Sequence, residues 1–512
     1  MRRGRVLAAG AVAAGGLVVV AGIPSPSWAR AASQAIVTVA GGGGSTALPA
    51  GQGGTTLSLG SPVSAATDPN GNVLIADPGN NVIEAVAGKT GSFYGQAMQA
   101  GHIYTVVGDG SPGYSGDAIA QPLTQDELFA PNGVAIDPAG DVVITDTGNN
   151  AVRLIPASSG TFFGQNMTAG QIFTIAGGGS PGQIADGGQA TSAGMNAPDG
   201  VAFDPAGDVV VADTNNDVVR LIPRSIHPAF GRPVLTDRIY TLAGDTTFGF
   251  AGNGGPGRNA ELGLQPFAGV AVDPSGNVAV ADGGNSVIWL VSASTGVIRT
   301  IVGNGNPGFT GDKRPAASAT IDGPQGVAYD AAGDLFVSDS NNNMIRLVPA
   351  SSGSYDGKKV KAGDIYGVVG SGTAGYSGDG GPPGASQLNA PAGVAVTATG
   401  HLVIADNGND VVRETVPPVP RVAAVHPSSG PTSGGNRVTI KGSDLSGATA
   451  VYFGSRPTAN ILRNSARKVV VVAPPGAPGP VVITVVTPAG TSVAGPGDLY
   501  AYSAAAVPHH RR

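Results

Sequence analysis

Six aspartates close six apolar runs in this chain: Asp77, Asp146, Asp213, Asp282, Asp339 and Asp406. Three residues after each stands an asparagine: Asn80, Asn149, Asn216, Asn285, Asn342 and Asn409. Oxygen donors at this density suit a hard cation such as Ca²⁺, or the polar groups of a ligand. The same residue types also tie turns, because short Asp and Asn side chains bond nearby backbone groups. Repetition in every copy favours the turn role, since a specific site breaks the symmetry of its scaffold. Asp213, Asn215 and Asp217 alternate like calcium-loop ligands, but the glycine and the distant glutamate of that pattern are missing.

Other chemistry is sparse. The segments "SFYGQAM", "TFFGQNM", "HPAFGRPV" and "SYDGKKV" offer Phe93, Tyr94, Phe162, Phe163, Phe230 and Tyr355. Aromatics on long loops either anchor a partner or fold back over their own sheet. His102, His227 and His401 show no metal-ligand spacing. The sequence holds no nucleophile elbow, phosphate loop or cysteine nucleophile. The four glycines from Gly41 to Gly44 lead into a loop, not a helix, so they do not read as a phosphate cradle.

The elements that must position these residues follow from the repeat. The closing aspartates lie 69, 67, 69, 57 and 67 residues apart. Within the copy at Gly133, "GVAID", "VVITD" and "AVRLI" read as three strands joined by the turns "PAGD" and "TGNN". A longer loop leads to a fourth strand, "QIFTIAG". Short apolar runs at this period predict an all-β, six-bladed propeller, each blade of four antiparallel strands. The fourth-strand pattern recurs five times, and the sixth copy lies ahead of the first repeat as "AIVTVAG" (Ala35–Gly41). The N-terminal strand is therefore expected to complete the last blade and remove a free edge. Connectivity places the "DTGNN" turns on one face, here the upper. The loops carrying Tyr114, Asp117, Phe250, Asn253, Phe309, Asp312, Tyr376 and Asp379 fall on the same face. The aromatic segments and all three histidines fall on or beside the lower one.

The pattern "GVAxDPxGxVxxADxxNNxVRxI", with "GYSGDGG" loops, resembles NHL-repeat proteins over residues 34–417. The resemblance implies a six-bladed propeller used mainly to bind protein or other ligands. Some related propellers are enzymes: amidating lyases with histidine-bound zinc, and lactonases with an asymmetric calcium site. Neither ligand set is reproduced by three scattered histidines or by Glu84, Glu127, Glu261 and Glu414. After a proline-rich linker at 417–420 the repeat stops. The strands that follow, with Pro427, Gly430, Gly434, Gly435 and Gly442, resemble an IPT/TIG domain, which implies an immunoglobulin-like β-sandwich.

Charge is unevenly divided. Residues 32–419 carry 15 Lys and Arg against 32 Asp and Glu, hence −17; residues 420–503 carry 7 against 2, hence +5. An acidic body argues against a nucleic-acid partner. Arg2, Arg3 and Arg5 precede an apolar stretch and a small-residue site at Ala29–Ala31, the pattern of an export signal. The organisation expected is a signal peptide at 1–31, the propeller at 32–417, the sandwich at 418–503 and a disordered tail at 504–512. No further apolar stretch of spanning length follows in the mature chain. The function expected is non-catalytic binding of protein or carbohydrate outside the cell or at its surface, by a monomer needing no cofactor. The competing readings are a Ca²⁺- or Zn²⁺-dependent hydrolase or lyase at the channel mouth, and a structural cell-wall protein.

Overall fold

In the computed structural model the described residues are 34–503, apart from 45–47, 49, 120, 183–185, 311, 459, 488–489 and 493–494. The expected signal segment and tail lie outside them. Among the described residues, the first region forms six antiparallel sheets of four or five strands, in each of which the three innermost strands follow chain order from the inside outward. The second blade is representative: Gly133–Ile136, Val142–Asp146, Ala151–Ile155 and Phe173–Gly177. The innermost strands of successive sheets touch in cyclic order, and those of the sixth and first blades close the circle. This ring of sheets is a β-propeller.

Closure follows the expected route. Ala35–Gly41 pairs antiparallel with Val411–Val416, from Ala35 opposite Val416 to Gly41 opposite Val411. The first blade gains an outer strand that the repeat does not announce: Ala50–Gly53 pairs with His102–Val107. Second strands are buried along their whole length because each packs between neighbouring blades. The glycine heading several inner strands has a steric cause. A Cβ on Gly200 would lie 2.5 Å from the Ala268 carbonyl oxygen, and one on Gly269 equally close to that of Gln325.

The lower aromatic segments are hairpins rather than loops. Gly91–Phe93 pairs with Gln96–Met98, and the copies at 160–167, 227–234 and 353–360 do the same. Their tips hold Tyr94, Phe163, Phe230 and Asp356 at φ of 51°, 51°, 50° and 46°, each followed by a glycine that is also at positive φ. Two left-handed residues in succession make the tight hairpin turn that matches strand twist.

The C-terminal region is a sandwich. One sheet orders Arg421–His426, Arg437–Ser443, Lys468–Val472 and Ile461–Ser465; the other is built around Gly479–Thr487, Ala450–Phe453 and Leu499–Ser503. Phe453, Tyr500 and Tyr502 pack edge to face in its core. The buried Tyr500 hydroxyl is satisfied by Asn436 Oδ1 at 3.0 Å.

Candidate functional site

The six closing aspartates are fully buried and turned into their own blades. Asp339 shows the arrangement. Its carboxylate accepts from the Asp322 amide at 2.8 Å, Asn342 Nδ2 at 2.8 Å and Arg346 Nη1 at 3.0 Å. Asp146 and Asp406 repeat this with Asn149 and Arg153, and with Asn409 and Arg413. Asp213 uses Asn216, with Arg220 at 3.6 Å. Asp282 takes Asn285 and the Trp289 indole N–H at 2.7 Å. Asp77 takes Asn80 and the Gly60 amide. Burial pushes the Asp213, Asp339 and Asp406 carboxyls up to about 6, against the pull of these donors.

The asparagines work in the same network. Asn149, Asn285, Asn342 and Asn409 each also donate to a carbonyl of the loop entering the blade. The left-handed residue after the turn links blade to blade: Asn81 accepts from the Ala130 amide, Asn150 from Ala197, Asn343 from Ala390 and Asp410 from Ser61. The Asp/Asn ring therefore does not converge on the channel; its oxygens hold turns, loops and neighbouring blades in place. Among the described residues, no three or more His, Cys, Asp and Glu side chains gather as metal ligands.

The channel encloses about 780 Å³ and is lined mainly by the Val and Ala side chains of the inner strands. One pair breaks its symmetry at the upper mouth. Asn132 Nδ2 donates to Asp199 Oδ1 at 2.7 Å, while the Phe267 amide donates to Oδ2 at 2.8 Å. Three adjacent blades are thus locked through one buried carboxylate, raised in pKa by its burial. Asp199 is not among the residues that the repeat pattern singles out, although the inner-strand position reading Asn132, Asp199, Ala268, Gln325 and Ala392 varies where its neighbours repeat.

On the lower side, the aromatics that offered either a partner anchor or a cap over their own sheet are drawn into the fold. Phe163 and Phe230 are buried, Phe93 and Tyr94 pack on the core, and Tyr355 packs at a tilt against Phe336. Tyr94 donates its hydroxyl to Asp68 at 2.9 Å, and Arg224 covers Phe162. Apolar rings beside tight turns gain more from capping the blade edge than from facing water. The histidines are dispersed: His102 bonds the Gly51 carbonyl oxygen, His227 faces Asp208 at 3.0 Å, and His401 lies 3.7 Å from Glu414.

The exposed aromatics lie on the upper rim, Phe129 and Phe248 among them, and four of these form a repeated arrangement. Tyr114, Phe250, Phe309 and Tyr376 are 47%, 46%, 47% and 52% exposed. Each is pinned from below. Tyr114 covers the Arg153 guanidinium at 4.5 Å, Phe309 covers Arg346 at 4.6 Å, Tyr376 covers Arg413 at 5.3 Å, and Phe250 meets Trp289 at 5.3 Å. A partly exposed acid completes three of the units, since Asp117, Asp312 and Asp379 pair with the same arginines. A desolvated guanidinium under a ring fixes the ring without ordering a flexible side chain. The rim therefore presents rigid aromatic faces beside carboxylates, an arrangement suited to stacking and hydrogen bonding.

Blades of this kind, tied by buried Asp–Arg pairs around a channel and followed by a sandwich, define a repeat propeller with an immunoglobulin-like partner domain. The NHL repeat model matches residues 130–153 and the IPT/TIG domain model residues 420–502, so the chain contains an NHL repeat within its propeller and a C-terminal IPT/TIG domain. It is 27% identical over 299 residues to the protein SUPPRESSOR OF QUENCHING 1, chloroplastic, of Arabidopsis thaliana, covering 55% of this chain and 24% of that protein. The chain thus spans about a quarter of that relative's length. Among solved structures it is similar to an auxiliary nutrient binding protein from Bacteroides ovatus: 13% identity, TM-score 0.47, 75% of this chain and 77% of the other. It is also similar to a gluconolactonase from Xanthomonas campestris: 11% identity, TM-score 0.42, 76% and 91%.

Proposed function

We propose that this protein is a non-catalytic binding protein whose upper propeller rim recognises a protein or carbohydrate ligand. The observation that carries this reading is the set of four half-exposed aromatics, each held over a buried side chain. Rigid rings lose little entropy on contact, which is what an anchor residue requires. The carboxylates beside them favour neutral polyhydroxyl or cationic surfaces over anionic ones. The Arg-flanked apolar N-terminal segment supports action outside the cell or at its surface. The IPT/TIG domain would serve as a spacer or second contact.

A panel of immobilised glycans and cell-surface proteins tests this directly. For the ligand found, Phe309→Ala and Tyr376→Ala together are expected to weaken binding by about 10- to 100-fold, the usual cost of removing buried anchors. The fold should survive, because the arginines keep their aspartates. Unchanged affinity in the double variant overturns the rim as the site. Turnover of a lactone or peptide-derived substrate, abolished by a single channel substitution, overturns the non-catalytic reading.

A further inference from the structure

Four blades bury a cation beside the closing aspartate, and of the two that do not, one puts an acid in its place. On the third strand, Arg153, Arg220, Arg346 and Arg413 face their aspartates, and Trp289 does so in the fourth blade. In the first blade the equivalent residue is Glu84. Register fixes what it meets. Glu84 lies opposite Ile75 on one side and Thr105 on the other, and Asp77 stands two residues beyond Ile75. Side chains two apart on a strand share a face, so Asp77, Glu84 and Thr105 point to one side of the sheet.

That group is not internally satisfied. Glu84 is 1% exposed, and its Oε2 has no hydrogen-bond partner. Thr105 Oγ1 is also buried without a partner. The Thr241 and Thr300 hydroxyls are unpartnered as well, so it is Glu84 that sets this blade apart. The charge acting on Glu84 is that of Asp77, which repels it; burial first, and Asp77 second, push its carboxyl well above the usual range. The entering loop, residues 42–62, contains no charged residue. Its Leu48 lies against Gly110 much as Phe250 lies against Gly305, so the lid here is aliphatic.

Two carboxylates buried together need a positive partner or a proton. In four of the sister blades a guanidinium of the chain itself provides the charge. Glu has a shorter side chain as well as the opposite sign, so it ends short of the position the guanidinium fills. We propose that the first blade takes a hard cation from solution, of the Ca²⁺ class, held by Asp77 and Glu84 with the Thr105 hydroxyl as a third oxygen. An all-oxygen donor set selects Ca²⁺ or Mg²⁺ over thiophilic metals. The ion would stabilise the blade that adjoins the closing strand, and the proposal is independent of what the upper rim binds.

The test uses the full chain, stripped with a chelator and titrated with Ca²⁺ at pH 7.5 by calorimetry and thermal melting. One site is expected, with a melting temperature raised by about 3 °C at a hundredfold excess over Kd. Glu84→Gln should abolish the response. Glu84→Arg should abolish it too and melt above the stripped wild type, because it restores the sister-blade pair. A wild type indifferent to both Ca²⁺ and Mg²⁺, or a response that survives either substitution, overturns the proposal. So does a cation-independent fall in melting temperature from pH 5 to 8 that Glu84→Gln removes, since the two carboxyls would then share a proton. Should Glu84→Arg not fold, Glu84→Gln decides.

Discussion

Replacing Asp339 by alanine is expected to destabilise the propeller by about 3–5 kcal/mol, the cost of stripping one partner from a buried ion pair. Three donors lose their acceptor at once: the Asp322 amide, Asn342 Nδ2 and Arg346 Nη1. Arg346 is itself fully buried and would keep only Asp312, whose side chain is 45% exposed. The loss therefore includes an uncompensated interior charge as well as missing bonds. Pairing the change with Arg346→Met separates the two. Removing both charges should restore part of the stability, since apolar replacement of a whole buried pair is often tolerated. Urea unfolding of the wild type, both single variants and the double variant measures the coupling. A single-variant cost under about 1 kcal/mol, or strict additivity, would show that the pair does not tie the blade together.

Much of the fold is legible in the repeat. Its register predicts the four-stranded blades, because second strands buried between blades leave a continuous apolar signature. Closure by Ala35–Gly41 is legible for the same reason: one fourth-strand pattern stands ahead of the first repeat. The hairpins at the lower face are not. Their strands are three residues long, too short for a periodic signal, and the left-handed pairs Tyr94–Gly95, Phe163–Gly164 and Phe230–Gly231 are unusual in beginning with an aromatic. The outer strand Ala50–Gly53 is half glycine and carries no apolar pattern at all.

The site is legible in kind but not in direction. Asp and Asn fall in the turns as their chemistry predicts, yet pattern alone does not say whether a carboxylate turns toward the channel or into its blade. The deciding residue is the arginine seven positions after the aspartate, which the sequence shows in four copies and which only register brings to the carboxylate. The lower side draws attention as a docking face because aromatics cluster there in sequence. Burial decides between the anchor and the cap that the sequence leaves open there, since a ring next to a tight turn is covered while a ring over a guanidinium keeps one face free.

The lower turns support the second large effect. Five of the six inner hairpin turns pair a first Asp with a residue four positions on, the sixth using Thr397 and His401. In the first and fourth blades that residue is asparagine: Asn72 Nδ2 reaches Asp68, and Asn277 Nδ2 reaches Asp273, both at 2.7 Å. In the third blade it is Asp208, beside Asp204. Asp208 Oδ1 accepts the Arg224 amide at 2.9 Å, as Asn277 Oδ1 accepts that of Ala293. Two acids then share one turn, and burial first, with Asp204 second, raises the Asp208 carboxyl to about 6. A carboxyl raised on folding leaves stability intact below its unfolded pKa and loses it as pH climbs through the folded value. Between about pH 4 and 7 this group should therefore remove up to roughly 3 kcal/mol, because each tenfold weakening of its acidity corresponds to about 1.4 kcal/mol. Asp208→Asn installs the amide that two sister blades already use. It is expected to raise stability at pH 8 by about 1–3 kcal/mol and to leave it nearly unchanged at pH 4. The lower end of that range reflects the loss of the His227 contact at 3.0 Å. Melting curves of the two proteins from pH 4 to 8 provide the check: parallel curves would mean that His227 already neutralises the turn and that the paired acids cost the fold nothing.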